Sequence, residues 1–165
     1  MATTRQLVFS AATCCLILSA VGTGQQHDPS QHKIVTPDTV TWGPAPPGLP
    51  PGAQVAVLEG DPSKPGAFTM RAKFPNGYKI QPHWHPVDEH VTVLKGTLHM
   101  GLGEKFDTAA GKAMGAGSFG LMKPEQRHFA WTTEETVIQL HGTGPWGITY
   151  VNPKDDPRKQ PGTYE

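Results

Sequence analysis

Two histidines separated by a single residue, His83 and His85, are the first residues in this chain whose spacing could do chemistry. On a β-strand successive side chains alternate faces, so both imidazoles leave the same side. Glu89 follows after Pro86, where the chain can turn and return a carboxylate to that face. Imidazole plus carboxylate is a donor set that borderline divalent metals accept, with Fe, Zn, Mn, Ni and Cu all admissible. Glu89, Val91 and Val93 share one face of the next predicted strand, and His90, Thr92 and Leu94 share the other. If Glu89 faces inward, His90 faces outward, so Glu89 rather than His90 is the candidate ligand.

The elements that must position these residues are short strands. Gly 19 and Pro 17 interrupt the chain too often for long helices. Strands are predicted over 53–58, 67–74, 78–85, 89–94, 97–102, 136–141 and 146–151 from period-two alternation and flanking turn residues. Residues 103–117 carry little periodicity and read as a linking loop with one helical turn around 105–110. Residues 25–52 hold seven of the seventeen prolines. Proline lacks a backbone donor, so this segment reads as an arm excluded from any central strand, with Trp42 its expected anchor. His27 and His32 read as solvated tail residues.

Residues 1–24 resemble a secretory leader: Arg5 precedes an apolar run from Leu7 to Val21, and small residues follow. Cys14 and Cys15 would leave with it, so the mature chain would carry no thiol and no disulfide. The expected destination is periplasmic or secreted. Lys+Arg and Asp+Glu number 14 each. That balance excludes a basic nucleic-acid footprint or an electrostatic membrane surface once the leader is gone.

The spacing Gly77, His83, His85, Glu89, Gly96 resembles the first motif of the cupin superfamily at each of its fixed positions. Gly117 to Thr132 resembles the second motif, with Gly117, Pro124 and His128 in order. Pro124 comes one residue late after Gly117 and His128 one residue early after Pro124, so the glycine-to-histidine distance is kept. The usual intervening glycine is Gln126 or Arg127, and Thr132 replaces the usual asparagine. The resemblance spans residues 53–152. It implies an all-β fold, a single-domain double-stranded β-helix or jelly-roll barrel, followed by a tail over 153–165. It also implies a divalent metal held by His83, His85, Glu89 and His128.

Phe68, Met70, Val91, Val93, Phe119 and Trp131 are candidates for lining a pocket beside that metal. His141 is open between a base beside the metal and a rim residue bonded to the Gly-rich turn, with the rim reading preferred; His99 reads as a polar residue on a half-exposed face. The resemblance leaves three functions open: a metal-dependent enzyme on a small molecule, oxygenase-type first; a non-catalytic module that binds a small ligand; and a sensory or structural barrel. It also allows a homodimer, for which Leu94, Leu98 and Leu102 offer a candidate face.

Overall fold

The computed structural model describes residues 32–160. The predicted leader and the last five residues lie outside them. From Val35 onward the chain forms one unit. Among the described residues no helix is long and apolar enough to cross a membrane.

Eleven strands build it: β1 (Gly43–Pro44), β2 (Gln54–Glu59), β3 (Gly66–Phe74), β4 (Lys79–Trp84), β5 (Glu89–Lys95), β6 (Thr97–Leu102), β7 (Lys112–Gly115), β8 (Phe119–Met122), β9 (His128–Thr132), β10 (Thr136–Gly144) and β11 (Thr149–Tyr150). Only short 3₁₀ turns interrupt them. The strands form two antiparallel sheets, one in the order β1-β2-β3-β10-β5-β8 and the other in the order β11-β4-β9-β6-β7. This is a jelly-roll barrel, as expected.

Alternation explains what the sheets enclose. On β3, Phe68, Met70, Ala72 and Phe74 are buried while Thr69, Arg71 and Lys73 between them are only half-buried. Val91 and Val93 from β5 and Ile138 and Leu140 from β10 continue the same face, and Ile80, Leu98 and Ala130 meet them from the second sheet. Burying full aliphatic and aromatic side chains contributes roughly 1.5–3 kcal/mol each, which is what a disulfide-free barrel depends on. Gly77, Gly96 and Gly117, the glycines of the two motifs, have φ of +76°, +72° and +87°. At Gly96 a Cβ would also stand 2.9 Å from Thr136 Oγ1, so this turn needs glycine twice over.

The structure adds β1, β8 and β9 to the sequence-based strands and departs from them further at Lys112–Gly115, at the end of β10 and at the last strand. Lys112–Gly115, read as loop, pairs with β6; its Ala and Gly residues carry no alternation signal, and the partner strand supplies the order. β10 runs through Gly142 to Gly144, where a turn was expected, because Gly142 lets the strand pass close to Asp88 O, 2.9 Å from where a Cβ would sit. The last strand shrinks to Thr149–Tyr150, leaving 145–148 irregular.

The Pro-rich segment runs across the barrel as a strap. Gly43 and Pro44 pair only at the sheet edge with β2, and the Nζ of Lys73 sits 4.7 Å over the Trp42 ring. Tyr78 Oη donates to Pro50 O at 2.5 Å and Tyr150 Oη to Gly48 O at 2.9 Å, and Leu49 between them is buried in the core. At the other end Asp156 and Pro157 are buried, and Arg158 donates to Ile148 O at 3.0 Å. The leucine face suggested for a dimer does not exist as one surface. Leu98 is 2% exposed, whereas Leu94 and Leu102 are exposed on strands of different sheets.

Candidate metal centre

His83 on β4 and His128 on β9 are direct cross-strand partners. Their ring centroids lie 4.2 Å apart. His85 stands just past the end of β4, with its ring 5.0 Å from His83 and 5.2 Å from His128. All three are buried. Each directs Nδ1 at a backbone carbonyl: His83 at Gln81 O (2.7 Å), His128 at Gln126 O (2.9 Å) and His85 at Gly147 O (2.7 Å). A carbonyl only accepts, so each Nδ1 carries the proton and donates it. In the neutral ring Nε2 is then left with its lone pair. The three rings offer ligand atoms within 4.8 Å of one another, and can hold a metal ion.

Glu89 opens β5 in the facing sheet and is buried. Its Oε2 lies 3.3 Å from His85 Nε2 and 3.5 Å from His128 Nε2. Burial alone would raise the Glu89 carboxyl, but His85 and His128 beside it hold it well below the usual carboxylate range. Burial likewise opposes charge on His85, yet the Glu89 carboxylate outweighs it and raises that imidazole. His83 is held well below the ordinary histidine value by burial and then by His128 and His85. His85 Nε2 is in ion-pair range of Glu89 but has no hydrogen-bond partner. A buried nitrogen without one is costly. Three inward Nε2 atoms, one of them unpartnered, beside a carboxylate fit a borderline divalent ion.

The second motif is tied to the first by its backbone. Glu125 N donates to His85 O at 2.8 Å, and Glu125 itself adopts φ +61°. Among the described residues Glu125 is the one non-glycine with a positive φ, and neither Gln126 nor Arg127 shares it.

Strand alternation separates Glu89 from His90. His90 faces the outside of the six-stranded sheet, where its ring stacks on that of His141, its cross-strand partner, at 4.8 Å. His141 is therefore turned away from the cavity and is no base beside a metal. His99 stacks on Trp131 at 4.9 Å.

An inner cavity of about 40 Å³ adjoins the histidines, and Met70 and Val91 line it. Phe68 and Val93 are core residues beyond its wall. Phe119 points out of β8 and is 58% exposed. Trp131 lies on the outer side of β9, against Phe106 and Phe129, because alternation sends Ala130 inward. Leu49, Trp146 and Ile148 also line the cavity. They sit in irregular or Pro/Gly-rich stretches where no periodicity marks an inward side, so the sequence carried no signal for them.

The ChrR cupin-like domain family matches residues 30–147. No curated protein matches the chain. Among solved structures, the polyketide cyclase RemF from Streptomyces resistomycificus is 17% identical with a TM-score of 0.62, over 76% of this chain and 89% of that one. An acetylacetone dioxygenase from Acinetobacter johnsonii is 16% identical with a TM-score of 0.58, over 81% and 85%. An RmlC-like cupin from Shewanella frigidimarina is 14% identical with a TM-score of 0.52, over 69% and 93%. At such identities the likeness is one of fold.

Proposed function

The chain belongs to the ChrR cupin-like family, and from that premise we propose that it is an exported, divalent-metal-dependent enzyme of the oxygenase type acting on a small molecule. The observation that carries the reading is the set of three buried histidines whose Nδ1–H groups are all tied to backbone carbonyls. Their Nε2 atoms are fixed before any ion arrives, so little side-chain ordering opposes binding. His83, His85 and His128 would hold the ion, with Glu89 as the anionic fourth ligand. Once bound, such an ion can polarise a substrate oxygen or, if it is iron, activate dioxygen.

The chain's own residues then bind, orient and exclude water. Among the described residues, no titratable side chain lines the inner cavity apart from the three histidines and Glu89. The aliphatic walls keep bulk water from the histidines, and Glu89 offsets much of the charge a divalent ion would bring. The fold shared with an acetylacetone dioxygenase supports small ketones and diketones as the first substrates to try. The same lack of a further acid or base also favours a second reading, a module that holds a ligand without turnover.

Export rests on the leader-like residues 1–24. One preparation tests both parts: protein recovered from the periplasm or medium without added metal, analysed for its N-terminus and its metal. Iron near one per chain, with oxygen uptake on small diketones or phenols, supports the oxygenase. Zinc without turnover supports the ligand-holding module. Absence of metal, with no uptake on reconstitution, overturns both. An intact N-terminus overturns export.

A further inference from the structure

The inner cavity is one of two adjoining spaces. A groove of about 470 Å³ lies outside it, and the two share Pro46, Leu49, Val55, Met70, Trp146 and Ile148. An apolar cavity of roughly 150 Å³ accommodates benzene; the inner space, at about 40 Å³, takes only a few waters or a diatomic molecule. The groove is within the range of small-molecule sites, roughly 300–1,000 Å³. An organic molecule can therefore lie in the groove and reach toward the histidines only where the shared wall yields.

Four members of that wall, Pro46, Leu49, Trp146 and Ile148, lie off the strands, and two of them matter here. Leu49 sits on the strap, whose backbone is held on either side by the Tyr150 bond to Gly48 O and the Tyr78 bond to Pro50 O. With the backbone anchored, the side chain is what can swing. Trp146 sits in the irregular link between β10 and β11, with its backbone N donating to Pro62 O at 2.7 Å. Its indole stacks on His85 at 4.8 Å and 20°. Its Nε1–H is buried and has no hydrogen-bond partner. Leaving such a donor unmade costs more than a made hydrogen bond contributes, and indole nitrogen can only donate. The missing partner is an acceptor.

We infer that the passage between groove and histidines is a binding site for a small, mainly apolar molecule bearing a carbonyl oxygen. Trp146 Nε1–H is the donor that selects and orients that oxygen beside His85, and Leu49 is the plug the molecule displaces. The inference rests on the proposed use of this centre for small molecules. Asp61, Ser63 and Arg158 give the outer groove its polar side, so the apolar body of the ligand lies against Leu49, Val55 and Ile148.

The test uses full-length, ¹⁵N-labelled, zinc-loaded protein and two probes, cyclopentanone and cyclopentane. Trp146→Phe, which keeps a ring against His85, identifies the Trp146 indole resonance by its loss. The expected result is a saturable shift of that resonance with cyclopentanone and none with cyclopentane. Followed through the backbone amide resonances that shift alongside the indole, Trp146→Phe should weaken cyclopentanone about fivefold, the value of one ordinary hydrogen bond, and Leu49→Ala should admit cyclooctanone, which the natural protein excludes. An unmoved indole, an equal response to cyclopentane, or unchanged ketone size selection in Leu49→Ala overturns the inference. Zinc bound with an unmoved indole refutes this inference alone. A ketone-responsive indole in protein that takes up no zinc refutes the metal reading alone.

Discussion

Glu89 and His90 are neighbours in the chain and opposite in the fold, so a paired substitution separates ligand from bystander. Glu89 Oε2 lies 3.3 Å from His85 Nε2 and 3.5 Å from His128 Nε2, the region an ion would share. Two unit charges at 3.3 Å interact by roughly 5 kcal/mol at an effective dielectric of about 20, a lower bound for a carboxylate that ligates a divalent ion. Glu89→Gln keeps the shape and one oxygen but removes the charge. If the amide oxygen and relaxation recover about half, zinc affinity falls by about 2–3 kcal/mol, or roughly 30- to 150-fold. Competition against a chromogenic chelator near neutral pH measures it. His90→Ala, on the outer face, should change affinity by less than about twofold.

The pH dependence gives an independent arm. Although burial opposes it, the Glu89 carboxylate raises His85. Below that raised value zinc must displace a proton, so apparent affinity falls about tenfold per pH unit. In Glu89→Gln the raising carboxylate is gone and the fall begins at lower pH. Undiminished zinc affinity in Glu89→Gln, or equal loss in His90→Ala, would refute the assignment of Glu89 to the centre.

The metal-free protein should show a stability maximum near or just above pH 6.5, the ordinary histidine value. Acidification first stabilises through His85, whose folded-state value is raised, until the unfolded chain also protonates. Below that point His83, depressed by burial and its neighbours, keeps the unfolded state richer in protons. Stability then falls, and it falls further below pH 4.5 as unfolded Glu89 protonates. A melting temperature still rising down to pH 5 would contradict this balance. Glu125→Gly should stabilise the protein by about 0.5–1 kcal/mol, since a left-handed non-glycine costs roughly 1–2 kcal/mol and glycine's unfolded-state entropy takes back part. A lowered denaturant midpoint would show that the Glu125 side chain contributes more than the backbone strain costs.

Much of this protein is written locally. Period-two alternation in Phe68, Met70, Ala72 and Phe74 marks an inward face, because the pleat reverses side chains at every residue. The same rule sends Glu89 in and His90 out. The glycines at 77, 96 and 117 announce turns that only φ near +80° closes. Three things needed the folded chain. His128 meets His83 because β9 and β4 pair in that register, and register depends on both strands together. The Nδ1 proton of His85 is placed by Gly147 O, 62 residues away; no local pattern specifies so distant a carbonyl. The strap, Leu49 and Trp146 close the inner cavity from segments without periodicity, where proline and glycine fix the backbone but leave the facing of each side chain to whatever the barrel presents. Sequence determined the strands and the chemistry available to them; packing between distant segments decided which groups meet and what space remains around them.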